Sequence, residues 1–149
     1  MKSLKSYIQE KLIIKKINYN YFPETKKELK TIIKQRIEQE GPEVDLNDID
    51  VSKIKDMSDL FYGLNFNCDI SNWNVSNVTN MRKTFLDCKS FNQDISGWNV
   101  SNVEDMSWMF FDCENFNQDI SNWNTSKVKN KDRMFDNCPI EEKYKPSFK

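Results

Sequence analysis

FNQDISGWNVSNV, residues 91–103, is one of three nearly identical stretches in this chain of 149 residues. FNCDISNWNVSNV precedes it at residues 66–78, and FNQDISNWNTSKV follows it at residues 116–128. Neighbouring copies are 25 residues apart, and self-similarity at a fixed period of about 20–50 residues is typical of repeat proteins. The repeat therefore decides the fold.

The repeat continues beyond the quoted stretch. Trp73, Trp98 and Trp123 match within it, and two columns match after it: Phe85, Phe110 and Phe135, then Cys88, Cys113 and Cys138. A weaker copy, DLNDIDVSKIKDMSDLF, begins at Asp45, one residue short of the period, and places Ile49 in the tryptophan column. Four repeats therefore begin near residues 45, 69, 94 and 119.

Each repeat is too short for a pair of helices, and its pattern changes along its length. DISGW suits a short strand, whereas NVEDMSWMFFDC places apolar residues three and four apart, which suits a helical turn. One strand and one helical segment in about 20–29 residues is typical of leucine-rich repeats. We therefore predict an α/β fold: a short leucine-rich-repeat-like solenoid of about four rungs, each with one short strand and one helical turn, and an N-terminal helical cap.

The flanking segments complete this organisation. TKKELKTIIKQRIEQEGP predicts an amphipathic helix that begins at a capping box of Thr25 and Glu28 and ends near Gly41. The last copy replaces apolar residues by Thr125 and Lys131, which suits a solvent-facing end. The predicted segments are an N-terminal arm at 1–22, a capping helix at 23–44, the repeat solenoid at 45–138 and a C-terminal cap or tail at 139–149.

These motifs resemble those of a known family. FNQDISGWNVSNV, the helix PETKKELKTIIKQRI and the ending MFDNCPIEEKYKPSF are similar to the BspA-like leucine-rich repeats of bacterial surface proteins, some protists and large viruses. The resemblance spans about residues 22–148. It implies a leucine-rich-repeat fold and a role in binding and adhesion to proteins, and it supplies no catalytic residues. The opening MKSLKSYIQEKL resembles the starts of small phage-encoded proteins.

The composition argues against catalysis. The chain has no His, which removes the commonest general base, nucleophile partner and zinc ligand. It has only three Gly and contains neither a glycine-rich phosphate loop nor a CxxC motif. We therefore expect no enzyme activity, no catalytic residues, no cofactor and no metal.

Charge and hydropathy bear on partners and location. Residues 1–44 carry 10 basic and 6 acidic residues, a net +4, and residues 45–149 carry 12 and 17, a net −5. No basic stripe suited to nucleic acid results, and no stretch suits a signal peptide or a membrane span. We therefore expect no nucleic-acid or membrane partner and a cytoplasmic or virion-associated location.

Two columns of the repeat suggest opposite interpretations. The tryptophans could stack on sugars or bases, but Ile49 in the same column favours a core role. The column of Asp45, Asp69, Asp94 and Asp119 could hold calcium, whereas caps on the following backbone N–H groups are the simpler expectation. On a concave face Asp94, Ser96, Asp119 and Ser121 would offer a polar surface for hydrogen-bonded recognition.

The columns in which the copies differ are the better candidates for recognition, because a purely structural column can repeat. One holds Asp59, Lys83, Trp108 and Arg133, and the other holds Tyr62, Leu86, Phe111 and Asp136. We predict that Trp108, Phe111, Leu86 and Tyr62 form an exposed apolar strip that a protein covers. That protein is either a partner or the chain's own N-terminal arm.

The thiols are expected to be free, since the chain carries no export signal. Cys88, Cys113 and Cys138 share a column that should face inward. Cys68 lies out of register, in a column held by Gln93 and Gln118, and is the candidate for an accessible thiol.

We therefore predict a non-enzymatic protein–protein interaction module. The alternative is a structural or decorating component of a virus or phage particle, or a cell-surface adhesin-type binder. A carbohydrate-binding or calcium-binding role along the Trp or Asp column is a third hypothesis. Neither the partner's identity nor the oligomeric state follows from the sequence.

Overall fold

The computed structural model describes residues 3–6 and 18–148. Its main helix, α1, spans Lys26–Glu40. Thr25 is the N-cap, and its hydroxyl oxygen accepts the backbone N–H of Glu28 at 3.1 Å. Gly41 ends the helix with φ 101°, a left-handed conformation that favours glycine, and donates its N–H to the carbonyl of Ile37 at 2.9 Å. Residues 4–6 are also helical.

Helix α1 lies against the first repeat. Its Leu29 and Ile33 side chains are buried in the common hydrophobic core. The guanidinium of Arg36 donates to the carboxylate of Asp48 at 2.9 Å and also pairs with Glu40. Burial acts to lower the pKa of Arg36, but the bonds to Glu40 and Asp48 outweigh it and raise that pKa. The helix is therefore fixed by apolar packing and by a largely buried ionic group.

The predicted α/β solenoid, with one strand and one helical turn in each rung, is wrong. Residues 42–140, all of which the structure describes, contain neither a helix nor a strand. The repeats consist of turns and extended coil, and they touch through isolated parallel bridges such as Asp56 with Asn80 and Asp105 with Asn130. One further short element, the 3₁₀ helix η1, spans Glu142–Tyr144.

The direction of alternate backbone N–H groups explains why neither element forms. Within residues 106–113, the N–H groups of Met109, Phe111 and Cys113 donate to carbonyls three residues earlier in the same turn. The N–H groups of Trp108 and Phe110 donate instead to the next repeat, at 2.9 Å. In a helix every backbone N–H bonds within the same segment, and in a strand every bond goes to a neighbouring segment. The alternation of local and inter-repeat bonds therefore excludes both elements.

Asx turns shape each repeat at three positions. In each, the side-chain oxygen of an Asp or Asn accepts the backbone N–H two residues later, at 2.8–3.1 Å. The residue between them is apolar in ten of the twelve turns, and the third residue is most often Ser, as in Asp94-Ile95-Ser96 and Asn99-Val100-Ser101. The three Asx columns are 45/69/94/119, 50/74/99/124 and 56/80/105/130. These turns bend the chain back so that each repeat lies on the last.

Aromatic rings fill the interior. Trp73 and Trp98 lie parallel, with an interplanar angle of 2° and centroids 6.4 Å apart. Two phenylalanine columns interleave beside them, with centroids of Phe85 and Phe91 4.4 Å apart and those of Phe110 and Phe116 4.2 Å apart. Burial of such rings contributes a few kcal/mol each, roughly, so the columns dominate the stability of the stack.

Residues 140–148 fold back over part of the last repeat. Ile120 donates its N–H to the carbonyl of Tyr144 at 3.0 Å, and the hydroxyl of Thr125 donates to the carbonyl of Ser147. Thr125 is therefore buried rather than solvent-facing, whereas Lys131 is exposed as expected.

The predicted segment boundaries stay predictions, and most of the predicted arm, residues 1–22, lies outside the described residues. Among the residues that the structure does describe, no helix combines the length and the apolar character needed to cross a bilayer.

Candidate functional site

Trp108 has an unusual backbone conformation. Its φ is 59°, in the left-handed region, and the same holds for Asp59, Lys83 and Arg133 in the equivalent positions of the other repeats. This conformation costs a bulky residue roughly 1–2 kcal/mol. Asp tolerates it well, so the tryptophan occupies a position where a small polar residue would fold more easily. The strain points to a role for this ring other than folding.

The ring of Trp108 contacts two other side chains. The Phe111 ring is 4.7 Å away between centroids, tilted by 40°, and the guanidinium carbon of Arg133 lies 4.9 Å from the indole centroid. The Arg133 guanidinium also approaches the carboxylate of Asp136 at 3.8 Å. Trp108 and Phe111 are partly exposed, and Arg133 is exposed. No described residue accepts a hydrogen bond from the Nε1 atom of Trp108. We call Trp108, Phe111 and Arg133 the aromatic cluster.

The backbone register places Leu86 and Tyr62 in the column of Phe111. Gly63 donates its N–H to the carbonyl of Leu86 at 2.9 Å, and Asp87 donates to the carbonyl of Phe111 at 2.8 Å. Leu86 and Phe111 are half-buried, whereas Tyr62 is 56 % exposed. The predicted strip is therefore a continuous column on successive repeats, with the aromatic cluster at its C-terminal end.

The described part of the N-terminal arm makes its contacts elsewhere. Asn20 donates its N–H to the carbonyl of Asp48 at 2.8 Å, and Asp50 donates to the carbonyl of Tyr21 at 2.9 Å. Tyr21 also lies under the guanidinium of Arg36, 5.1 Å from the ring centroid. Residues 18–22 therefore extend the first repeat near α1. The hypothesis that the arm covers the strip rests on residues 7–17, outside the described residues.

Asp94, Ser96, Asp119 and Ser121 lie together in a shallow cleft of about 290 Å³, beside Gln118 and Asn122. The Oδ1 atom of Asp94 accepts the N–H of Ser96 at 2.9 Å, and that of Asp119 accepts the N–H of Ser121 at 3.0 Å. Hydrogen bonds from Ser96 and Ser121 hold the pKa values of Asp94 and Asp119 below the usual range.

The capping interpretation of the aspartates is therefore confirmed. Among the described residues, no three Cys, Asp or Glu side chains are grouped as metal ligands would be. The cleft thus presents carboxylates already engaged by serine rather than a preformed cation site.

The core interpretation of the tryptophan column is also confirmed. Trp73, Trp98 and Trp123 are 3–5 % exposed. Each indole Nε1 donates to a carbonyl of the preceding repeat, that of Leu46, Ile70 or Ile95, at 2.9–3.2 Å. These rings have no free face or polar edge for a ligand.

The prediction that Cys68 is an accessible thiol is wrong. Its exposure is 0 %, its Sγ lies 3.3 Å from the carbonyl of Pro42, and burial raises its pKa to about 11. Pro42, in the segment that follows α1, covers Cys68, and no such segment among the described residues covers the later members of this column. The sequence does not reveal this contact. All four cysteines are free thiols, and Cys138 is the one that is partly exposed.

Arg133 was not predicted as a site residue, although the irregular column includes it. The sequence offered one indication. The neighbouring column of Gly63, Asp87, Asp112 and Asn137 consists of residues that tolerate positive φ, and all four have it. That column indicates a tight turn near residues 108–112, but the approach of Arg133 to Trp108 also depends on how the next repeat stacks.

Comparison with known proteins identifies a family. The family model described as "Mycoplasma protein of unknown function, DUF285" matches residues 28–146. The match covers most of the chain, so the chain belongs to the DUF285 family. No curated protein and no solved structure matches the chain.

Proposed function

We propose that this member of the DUF285 family is a non-enzymatic protein-interaction module that binds a partner protein through the aromatic cluster. The observation that carries the proposal is the tryptophan held in a left-handed backbone conformation at a partly exposed position. Asp59 holds the equivalent position of the first repeat at lower conformational cost, so folding alone does not require a tryptophan here. A role in binding offsets the strain.

The composition of the cluster supports a protein partner. Trp, Tyr and Arg are the residue types most enriched in binding hot spots. The aromatic rings bury a large area with few rotatable bonds, and Arg adds a planar guanidinium with several hydrogen-bond donors. Here Phe111 and Arg133 both pack against the Trp108 ring, and these contacts restrict its rotamers before binding. Such preorganisation lowers the entropic cost of association.

The chemistry of the described side chains supports a non-enzymatic role. Burial raises the pKa values of Cys88 and Cys113, so their thiols are poor nucleophiles. The carboxylates with a resolved shift, such as Asp94, have lowered pKa values, which suits structural anions and not general acids. The resemblance of the repeats to BspA-like proteins, which bind and adhere to proteins, adds to the proposal.

The test uses Trp108→Asp, because the first repeat already has Asp59 at the equivalent position and the fold should tolerate it. Lys83→Asp is the matched control, with the same left-handed backbone and no aromatic neighbour in the cluster. A partner captured with the wild-type chain from its native source is purified and titrated against the three proteins by calorimetry.

We expect Trp108→Asp to weaken binding by about thirtyfold, roughly 2 kcal/mol, as for a hot-spot residue. Lys83→Asp should change the affinity by less than about threefold, since it lies outside the cluster. Equal affinity of the partner for wild type and for folded Trp108→Asp would contradict the proposal.

A further inference from the structure

The last repeat presents a row of backbone donors with no partner among the described residues. In the third repeat four alternate N–H groups each donate to a carbonyl of the fourth repeat, at 2.8–3.0 Å. These donors belong to Met106, Trp108, Phe110 and Asp112. The equivalent N–H groups of the fourth repeat have no acceptor among the residues described: they belong to Lys131, Arg133, Phe135 and Asn137. We call these four groups the open edge.

The C-terminal tail covers the other half of the same repeat. Glu141 donates its N–H to Asn117, and Ile120 donates to Tyr144, so the stretch 117–125 is capped. Where the tail leaves the repeat, a cavity of about 450 Å³ lies beside the open edge, with Phe135, Phe148 and Lys145 among its walls. The described residues thus close one half of the last repeat and leave the other half open.

The cavity lies at the end of an aromatic column. One face of Phe135 stacks on Phe110, with centroids 5.8 Å apart and an interplanar angle of 4°. The ammonium of Lys145 lies 5.4 Å from the Phe135 centroid, and that of Lys131 lies 4.5 Å from the Phe148 centroid. In each earlier repeat an aromatic ring of the next repeat continues this column. At the end of the column, beyond Phe135, flexible lysine side chains occupy the position of that ring, and an aromatic ring can displace them.

A second copy of this chain does not fit the open edge. Two open edges facing each other would bring donors against donors. The acceptor side of the stack, at the first repeat, lies against α1: Lys26 bonds to Asp56 and Ser58, and Leu60 is 2 % exposed. A head-to-tail contact would require α1 to leave the core that Leu29 and Ile33 help to form.

We propose that the open edge binds an extended segment of a different protein. The carbonyl groups of alternate residues in that segment accept the four N–H groups, and one aromatic side chain enters the cavity beside Phe135. Such a segment would continue an interface that already occurs three times within the chain, with the donor side always on the C-terminal face. Addition of an extended segment to an exposed backbone edge is an established mode of recognition.

The test is amide hydrogen exchange on the full chain, with a synthetic peptide of residues 104–112 (EDMSWMFFD) as the probe. Within the chain this segment offers the carbonyls of Asp105, Ser107, Met109 and Phe111 to the second repeat. A scrambled peptide of the same composition is the control. We expect the four open-edge amides to exchange rapidly in the free chain, and to become at least about tenfold slower with the probe.

Three results would overturn the proposal. Slow exchange of the open-edge amides in the free chain at all concentrations would mean that the chain's own residues cover them. Slowing that grows with protein concentration would mean that a second copy does. Rapid exchange at millimolar probe, or equal slowing by the scrambled peptide, would mean that the edge does not select such a segment.

A pair of variants tests the donors themselves. Lys131→Pro removes one N–H group that no described residue uses, and Lys131→Ala keeps it while removing the same exposed side chain. We expect the probe to bind Lys131→Pro about fivefold more weakly than Lys131→Ala. Equal binding would contradict the proposal.

The two proposals fail separately. Trp108→Asp removes the aromatic cluster and should leave probe binding at the open edge unchanged, because the Trp108 N–H donates to Asp132 and takes no part in the edge.

Discussion

The indole Nε1 of Trp98 lies 3.0 Å from the carbonyl oxygen of Ile70, in the preceding repeat. The bond joins the polar edge of the largest side chain in one repeat to the backbone of the next. Trp73 and Trp123 make the same bond one repeat on either side. The tryptophan column therefore supplies both apolar packing and hydrogen bonding between repeats.

Trp98→Phe should destabilise the protein by about 2–4 kcal/mol. The substitution leaves a cavity and removes one of the two hydrogen bonds that the Ile70 carbonyl accepts, the other being from the backbone N–H of Trp73 at 3.2 Å. Urea unfolding followed by circular dichroism measures the change. Trp108→Phe is the matched control and should cost less than about 1 kcal/mol, since that indole is partly exposed and has no described acceptor. A smaller effect at Trp98 than at Trp108 would contradict the assignment of these two rings.

Lys83→Asn should stabilise the protein by about 0.5–1 kcal/mol. Lys83 has φ 58°, and Asn adopts this conformation at lower cost than Lys. Its backbone N–H still donates to Ser107, so the contact between repeats is kept. The midpoint of urea unfolding gives the result. Lys83→Ile, with a branched side chain at the same φ, should destabilise, and the reverse order of the two variants would rule out the strained turn.

Stability should fall as the pH is lowered below about 4, because carboxylates in the Asx turns have pKa values lowered by folding. Burial acts to raise the pKa of Asp69, but its hydrogen bonds from Ser71 outweigh this, and those from Ser96 lower the pKa of Asp94. A lowered pKa in the folded state means that the stabilisation is present above the unfolded-state pKa and is lost as the pH falls through the folded one.

The double variant Asp69→Asn/Asp94→Asn tests this pH dependence. Asn already serves in the same turn at positions such as Asn74 and Asn99, so the turns should remain. Urea midpoints at pH 7 and pH 3 should differ less for the variant than for wild type, and Asn99→Asp should make the difference larger. An unchanged difference in the double variant would show that these carboxylates do not govern acid stability.

Cys138 should be the fastest thiol to react with a maleimide. It is the partly exposed cysteine, whereas Cys68, Cys88 and Cys113 are fully buried, and burial raises the pKa of each. Mass spectrometry should find one rapid modification in the native protein and four in denaturant. Cys138→Ser should remove the rapid phase. Rapid labelling of two or more thiols in the native protein would mean that the stack opens readily.

The sequence predicted the period, the buried columns and helix α1, because each depends on local pattern. It did not predict the backbone of the repeat. Apolar residues three and four apart, as in Met106 and Met109, fit a helix as well as they fit turns whose alternate N–H groups bond to the next repeat. Triplets of Asp or Asn, any residue and Ser were visible at nine of the twelve Asx turn positions and would have favoured turns.

The site was predicted in part. The disagreement between copies identified Trp108 and Phe111, because variation within a repeat is visible in a single sequence. The approach of Arg133 to Trp108 was not visible, since it depends on the left-handed turn and on the stacking of the next repeat. The open edge also required the structure, because a hydrogen-bond donor that has no acceptor leaves no mark in the sequence.

The most direct test of the account is the exchange rate of the four indole N–H protons, followed by NMR in deuterated solvent. Three tryptophans hold the repeats together, and we propose that Trp108 is available for binding. We therefore predict slow exchange for Trp73, Trp98 and Trp123, whose Nε1 atoms donate to buried carbonyls, and rapid exchange for Trp108. Rapid exchange of all four, or slow exchange of Trp108 in the free protein, would contradict the account.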